Sequence, residues 1–170
     1  REIEITKVLE AYGIEGKNFI NLGYEPATLD RLMTKTLVQD FGRVFLDYQP
    51  QEIFFPHAGD AHSDHRIVSE AVISCIKWFR YNSINRALCY EVLSETDFNL
   101  NRKKFFFPNH YEDISNFLSK KKNAMKIYKS ELKNFPFPRS IKSIDALAKY
   151  RGSQIGKKAA ESFELLKNIE

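Results

Sequence analysis

The chain reads P-H-A-G-D-A-H-S-D-H from Pro56 to His65. An apolar run, Ile53 to Phe55, precedes this stretch, and a strongly periodic helical pattern begins near Asp64. A strand, a polar loop and a helix in this order are typical of the carboxyl end of a strand in an open α/β sheet, where such folds bind their ligands. The stretch therefore predicts both the fold class and the place of the functional site.

Strands and amphipathic helices alternate over residues 1–93, around this stretch. Apolar runs predict strands at residues 18–22, 52–55 and 86–93, with a weaker one at 103–107. Helical periodicity covers the start of the chain as far as Gly13, the stretch from Thr28 towards Pro50, and the stretch from Asp64 to Phe79. The alternation predicts an α/β fold with a mostly parallel sheet.

Residues 110–170 are predicted to be mainly helical. A final long helix is expected from Ser143 towards Ile169, interrupted or bent near Gly152 and Gly156. No repeat, low-complexity segment or linker interrupts the sequence. We therefore expect residues 1–170 to form a single domain, which is an ordinary size for one hydrophobic core.

The composition favours a folded protein outside the membrane. Hydrophobic residues make up 43% of the 170 residues, which argues against disorder, and no apolar run approaches the roughly 18 residues that a membrane span needs. The two cysteines, Cys75 and Cys89, lie in a predicted helix face and a predicted strand. Free thiols in a reducing compartment are favoured over a disulfide, so we expect a cytoplasmic protein.

The net charge of +4 raises the question of nucleic-acid binding. The basic residues are scattered, apart from the runs Arg102 to Lys104 and Lys120 to Lys122. The second run lies on the polar face of a predicted helix, where charged residues are ordinarily solvated. A basic nucleic-acid-binding domain is therefore kept only as a rival interpretation.

His62 and His65 are the candidate chemical residues, because side chains three apart leave a helix on the same side. Asp64 could orient one imidazole, and Asp60 adds negative charge to the loop. The spacing supplies only two potential ligands, whereas a catalytic zinc usually has three protein ligands and a water. On spacing alone, it is equally open that Ser63 or Asp64 caps the helix and that the histidines are solvated.

The run G-D-A-H-S-D-H resembles the second signature of the PIG-L/LmbE-type zinc-dependent de-N-acetylases, approximately D-x-H-x-D-H after a strand. Similar segments extend over nearly the whole chain. They are Arg1-x-x-Glu4 with Tyr12 to Ile14, Phe19 to Gly23 with Glu25, Lys126 to Glu131, and Arg151-Gly152 with Ala160 to Phe163. The resemblance implies a Rossmann-like three-layer α/β sandwich of the LmbE type, lacking its first strand in these residues.

The same resemblance implies an activity and a role for each residue. The family removes N-acetyl or other small N-acyl groups from amino-sugar conjugates such as N-acetylglucosaminides, with Zn²⁺ or another divalent metal. His65 would be the metal ligand, His62 the protonated imidazole that stabilises the oxyanion, and Asp64 the residue that holds His62. Asp60 and Arg1 are predicted to contact the substrate, Arg1 because it falls where the family has a sugar-contacting arginine.

The family's first signature, A-H-P-D-D-E, has no match in the chain. It supplies two zinc ligands and the general base, and it belongs upstream of the helix at Arg1. That helix starts without methionine or a capping residue, so we expect that a natural segment is missing there. We further expect the 170 residues alone to bind zinc poorly and not to deacetylate.

Two further interpretations stay open. The chain could be a non-catalytic sugar- or protein-binding module on the same fold, or the missing ligands could come from another chain of a homo-oligomer. His57 is interpreted as a loop residue that lines the pocket. Among partners, we expect a small-molecule amino sugar and no nucleic acid.

Overall fold

The structure, a computed structural model, describes residues 1–101 and 103–170. Arg102, part of one basic run, lies outside the described residues. The helices within these ranges are α1 Glu2–Tyr12, α2 Thr34–Tyr48, α3 Ser63–Cys75, α4 Leu118–Ile127 and α5 Ile141–Gln154. The strands are β1 Glu52–Pro56, β2 Arg86–Tyr90, β3 His110–Asp113 and β4 Ala160–Asn168. Short 3₁₀ helices occur at Gly16–Asn18 and Leu29–Arg31.

The chain divides into two compact units. The first unit contains Arg1–Asn21 and Tyr111–Glu161, and the second contains Leu22–His110 and Ser162–Glu170. The P-H-A-G-D-A-H-S-D-H stretch falls entirely in the second unit. The single-domain organisation of residues 1–170 stays a prediction.

The four strands found in the described residues form one sheet in the order β1-β2-β4-β3. β1 and β2 pair in parallel, with Phe55 opposite Cys89. β4 pairs antiparallel to β2, with Tyr90 opposite Phe163, and the register shifts between Ala87 and Leu88. The predicted α/β class is confirmed, and the sheet is mixed.

The core of the second unit forms because α2 and α3 turn their apolar stripes towards each other and towards β1. Leu37 of α2 and Ala71 of α3 share one buried cluster, while Phe55 of β1 packs with Val72 of α3 in another. Burying a side chain the size of Leu37 contributes about 1.5–3 kcal/mol. This packing holds the end of β1 and the start of α3 in fixed positions, and the loop between them carries the histidines.

The first unit contains the helices α1, α4 and α5. Two contacts hold the start of α1 to the segment after α4. Arg1 forms an ion pair with Glu131 at 3.2 Å, and the Glu4 carboxylate accepts hydrogen bonds from the Ser130 amide (2.9 Å) and hydroxyl (2.6 Å). The bonds from Ser130 lower the pKa of Glu4 below its usual value. None of the helices in the described part of the chain is long and apolar enough to cross a membrane.

The predicted final helix is wrong beyond Gln154. α5 ends there, Gly156 adopts a left-handed conformation with φ 71°, and Ala160–Asn168 forms β4. A Cβ at Gly152 would lie 2.7 Å from backbone atoms of Ala159, so the returning chain packs directly on the helix at this glycine. The glycines therefore mark a chain reversal, and not a bend within a helix.

Two predicted strands are also absent from the described residues. Residues 18–22 lie partly in the 3₁₀ helix Gly16–Asn18 and partly in irregular backbone, with Phe19 and Ile20 exposed. The described residues in 103–107 form a loop, and the strand in this region comes later, at His110–Asp113. Both stretches are apolar, but a strand requires hydrogen-bonding partners for its backbone as well as apolar side chains.

Candidate active site

The loop between β1 and α3 is unusually well buried for a polar segment. His57 is 5% exposed and Asp60 only 1%. Asp60 donates its amide to the His57 carbonyl at 3.2 Å, and Ala61 donates its amide to the Glu95 carbonyl at 3.0 Å. The loop is thus fixed by its own backbone and by the loop that follows β2, at the carboxyl ends of the two parallel strands.

His62 caps the amino terminus of α3. Its backbone is extended (φ −70°, ψ 126°), and its Nδ1 accepts a hydrogen bond of 3.1 Å from the Asp64 amide. The cap that the sequence suggested for Ser63 or Asp64 is therefore provided by His62. Since an amide nitrogen only donates, Nδ1 carries no proton, and the neutral ring has its proton on Nε2.

His65 also forms a hydrogen bond through Nδ1, but its partner is an acceptor, whereas the partner of His62 is a donor. Its Nδ1 lies 2.8 Å from Asp60 Oδ2, and the Asp60 side chain is fully buried. A carboxylate only accepts hydrogen bonds, so the proton of the neutral ring is on Nδ1. Nε2 of His65 is left with a lone pair, and the carboxylate on the other nitrogen fixes the orientation of the ring.

The two imidazoles stack against each other. Their ring centroids are 5.1 Å apart and their planes differ by 23°. His62 presents an Nε2–H donor, while His65 presents an Nε2 lone pair. The pair therefore places a hydrogen-bond donor beside a nitrogen that can bind a metal or accept a proton.

Asp60 is committed to the protein on both carboxylate oxygens. Oδ2 contacts His65, and Oδ1 accepts the hydroxyl of Thr96 at 2.6 Å. Arg66 donates to the carbonyls of Asp60 (2.8 Å) and Ala61 (2.5 Å) and so fixes the backbone here as well. The substrate contact expected of Asp60 stays a prediction, and the contacts observed orient His65.

Asp64 contacts a different part of the chain from the one expected. Its carboxylate accepts the amides of Ala27 at 2.6 Å and Leu29 at 3.2 Å. The sequence predicted that this carboxylate would hold His62, whereas in the structure Asp64 bonds to His62 through its backbone amide. The side chain instead ties the loop before α2 to the first turn of α3. Its catalytic role stays a prediction.

Arg1 lies in the first unit, and its guanidinium is paired with Glu131. Its side chain is 61% exposed. The predicted contact of Arg1 with the substrate therefore stays a prediction, based on the resemblance alone.

His57 is more enclosed than a pocket-lining loop residue would be. Its Nε2 lies 3.2 Å from the Lys104 carbonyl, and its Nδ1 lies 3.2 Å from Glu164 Oε2 without hydrogen-bond alignment. The ring also meets the Phe106 ring edge-on, with centroids 5.5 Å apart. His57 thus supports the loop that carries Lys104 and Phe106.

A cavity of about 440 Å³ opens beside Asp60. Its lining combines polar side chains, among them Arg66, Glu70 and Asn99, with the exposed apolar side chains of Phe98 and Leu100. Such a mixture suits a polar ligand that also has apolar faces.

The described residues fit the metal that the resemblance implies only in part. The Asp60–His65 contact is the carboxylate–histidine arrangement that commonly supports a zinc-bound imidazole. However, no group of three His, Cys, Asp or Glu side chains that could hold a metal occurs within residues 1–101 and 103–170. The described residues thus provide one prepared ligand and do not complete a metal site.

Comparisons with known proteins relate the chain to one family. The family model described as GlcNAc-PI de-N-acetylase (PIG-L) matches residues 1–76, which include the whole stretch from Pro56 to His65. The resemblance to the PIG-L family is thereby confirmed over these residues. No curated protein sequence matches the chain.

Two solved structures are similar to the chain in fold. The conserved protein TT1542 from Thermus thermophilus superposes with a TM-score of 0.76 at 20% identity, over 99% of this chain and 74% of that one. The N,N'-diacetylchitobiose deacetylase from Pyrococcus horikoshii, complexed with its inhibitor MPG, superposes with a TM-score of 0.72 at 18% identity. The match covers 98% of this chain and 62% of the deacetylase, so the chain spans less than two thirds of that enzyme.

Proposed function

We propose that this chain, whose residues 1–76 match the PIG-L family, provides part of the active site of a metal-dependent hydrolase. The enzyme removes an N-acetyl or other small N-acyl group from an amino-sugar conjugate such as an N-acetylglucosaminide. One observation carries the proposal. The stacked rings of His62 and His65 present an N–H donor and a lone pair side by side.

His65 is the residue that would hold the metal, through Nε2. Zn²⁺, or another divalent transition metal, would polarise the amide carbonyl and lower the pKa of its bound water. The contribution of this chain is to keep the Nε2 lone pair available, because the Asp60 carboxylate retains the ring proton on Nδ1. The remaining ligands have to come from outside the described residues.

His62 acts as a hydrogen-bond donor to the oxygen that gains negative charge as the amide is attacked. A preorganised donor of this kind is worth about 10²–10³ in rate. The family resemblance suggested a doubly protonated imidazole here. In the structure Nδ1 accepts the hydrogen bond of the helix cap, so the nitrogen that is available to donate is Nε2.

Substrate class and location are part of the same proposal. The amino-sugar substrate is supported by the family description and by the name of one similar structure. A cytoplasmic location is supported by Cys75 and Cys89, which are buried free thiols. A reducing compartment keeps such thiols unpaired.

A non-catalytic binding module on the same fold is the second candidate. It is favoured by the cavity of about 440 Å³ beside Asp60, whose polar and apolar lining suits a sugar. Such a module would bind an amino sugar in the cavity beside Asp60 and release no acetate.

The test uses the natural protein that contains these residues. Acetate release from N-acetylglucosamine conjugates and from chitobiose is measured for the wild type and for His65→Ala. His110→Ala is the matched control, because His110 contacts Arg86 and lies outside the candidate site. We expect His65→Ala to lose activity to the background and His110→Ala to retain it. Sugar binding without acetate release would support the module, and full activity of His65→Ala would exclude the proposed hydrolase site.

A further inference from the structure

Thr96 lies in the loop after β2 and connects that loop to Asp60. Its hydroxyl oxygen accepts the amide of Val92 at 2.8 Å and lies 2.6 Å from Asp60 Oδ1. The Thr96 amide also donates to the Val92 carbonyl at 2.9 Å. The side chain is therefore held in one orientation by its own loop before it meets the carboxylate.

Val92, Thr96, Asp60 and His65 are joined by a series of three hydrogen bonds. The direction of each bond can be assigned from the amide at one end and the carboxylate that follows. The Val92 amide can only donate, so it occupies a lone pair of the Thr96 hydroxyl and leaves that hydroxyl to donate its proton to Asp60 Oδ1. The second oxygen of Asp60 can only accept, so the proton between Asp60 and His65 belongs to Nδ1. The Val92 amide thus fixes the direction of the Thr96 bond, and the Thr96 bond holds Asp60 with its second oxygen facing Nδ1 of His65.

Because Asp60 is buried, the loss of a hydrogen bond to its carboxylate is expected to cost free energy. Asp60 is 1% exposed, so water is poorly placed to replace a lost donor. Leaving a buried acceptor unsatisfied costs about 1–3 kcal/mol. A carboxylate without the Thr96 hydroxyl is therefore expected to rotate or to seek another donor, and its contact with His65 weakens.

We infer that Thr96 is a positioning residue, which acts through Asp60 to keep the His65 ring protonated on Nδ1 with its Nε2 lone pair free. The consequence for catalysis rests on the proposed function, whereas the tautomer of His65 does not. The test therefore begins with the tautomer.

The measurement is a long-range ¹H–¹⁵N correlation spectrum of the ¹⁵N-histidine-labelled natural protein after treatment with a chelator, at about pH 8, above the ordinary imidazole pKa. The His65 signals are assigned by their loss in His65→Gln. We expect the wild type and Thr96→Ser, which retains the hydroxyl, to show a protonated Nδ1. Thr96→Val, which removes only the hydroxyl, should show a mixture of the two tautomers. A folded Thr96→Val with an unchanged His65 spectrum would overturn the inference.

If Thr96→Val does not fold, Asp60→Asn tests the same series of hydrogen bonds. In Asp60→Asn the amide oxygen should turn to the Thr96 hydroxyl, and the NH₂ group should donate to Nδ1 of His65. The His65 proton then moves to Nε2, so we expect the opposite tautomer from the wild type. An Asp60→Asn spectrum that keeps the proton on Nδ1 would contradict the assigned bond direction.

Activity separates this inference from the proposed function. In the natural protein, we expect Thr96→Val to lower metal affinity or activity by about 10–100-fold, the usual cost of losing a supporting residue around a ligand, and Thr96→Ser to restore it. If the tautomer depends on Thr96 but the natural protein releases no acetate, the inference stands and the proposed function fails. If His65→Ala abolishes acetate release while Thr96→Val alters neither tautomer nor rate, the inference fails and the function stands.

Discussion

His62 and His65 stack with their ring centroids 5.1 Å apart, and each ring bonds through Nδ1 to a partner of opposite character. Nδ1 of His62 accepts from an amide, whereas Nδ1 of His65 donates to a carboxylate. Two residues of the same type, one helical turn apart, therefore expose different chemistry at Nε2. The difference comes entirely from the hydrogen-bonding partners of the two Nδ1 atoms, the Asp64 amide and the Asp60 carboxylate.

The two nitrogens of His62 can be tested separately. In His62→Asn, the side-chain oxygen replaces Nδ1 as the helix cap but nothing replaces the Nε2 donor. We expect its stability to stay within about 0.5 kcal/mol of the wild type, because asparagine is a favoured cap. Its acetate release in the natural protein should fall by about 10²–10³. Urea unfolding and the activity assay measure the two effects.

His62→Gln is the reciprocal variant. Its amide group can reach the position of Nε2, but the Nδ1 acceptor is lost. We expect a destabilisation of about 1 kcal/mol from the lost cap and a higher activity than His62→Asn has. If the two variants lose stability and activity in the same proportion, the separate roles of the two nitrogens are wrong.

The Asp64 carboxylate is expected to stabilise the fold, independently of any role in the reaction. Asp64→Ala removes the acceptor of two amides, those of Ala27 and Leu29, and should destabilise the chain by about 1–3 kcal/mol. Asp64→Asn keeps one side-chain oxygen and should lose about half as much. Hydrogen exchange at the two amides, together with urea unfolding, provides the measurement. Unchanged protection of both amides in Asp64→Ala would contradict this account.

The local part of the site could be predicted from the sequence. An apolar run, a polar loop and a 3.6-residue period place β1, the histidines and α3 correctly, because each signal lies within a few neighbouring residues. The capping residue could not be predicted, since histidine is not among the favoured caps and Ser63 and Asp64 are. Thr96 is 36 residues from Asp60, and nothing in the spacing of the sequence connects them.

The last strand, β4, could not be predicted from the sequence for a different reason. Ala160 to Asn168 contains Glu, Leu and Lys, and its Ala160 and Phe163 are spaced as on a helix face. Pairing with β2 overrides that preference, because the stretch completes a ladder whose partner lies about 75 residues earlier. Strand pairing over such a separation is not encoded in any local pattern.

Gly152→Ala should destabilise the first unit by about 1–3 kcal/mol, because the added Cβ would meet backbone atoms of Ala159 and Lys157 at 2.7 Å. Backbone atoms cannot move aside as a flexible side chain can. Gly16→Ala is the matched control, since its Cβ meets nothing within 4 Å and its φ is ordinary. That variant should be neutral or gain up to about 1 kcal/mol. Equal unfolding free energies for the two variants would refute the tight packing at Gly152.

Cys89 is expected to make the chain less stable in alkali. Burial raises the pKa of its thiol to about 12, and the charges of Glu164 and Asp60 add to the effect. The unfolded chain releases this proton near pH 9.0, whereas the folded chain retains it, so the free energy of unfolding should fall as the pH rises above 9.0.

The measurement is the urea midpoint at pH values on either side of 9.0. Cys89→Ala should remove part of the slope, because the buried thiol of Cys75 and the half-buried Tyr90 also have pKa values raised by burial and remain in the variant. The native thiol should also resist alkylation that proceeds readily in denaturant. A Cys89→Ala variant with the full wild-type slope would assign the effect to other groups.

The antiparallel pairing of β2 with β4 has a consequence for the order of folding. β1, α3 and β2 are close together in the chain, whereas Arg86 pairs with Asn168. Closing a loop of that length costs more entropy than forming the local contacts, so the pairing is expected late. Until β4 docks, the second edge of β2 is open to strands of other molecules, and nascent or refolding chains are then most exposed to aggregation.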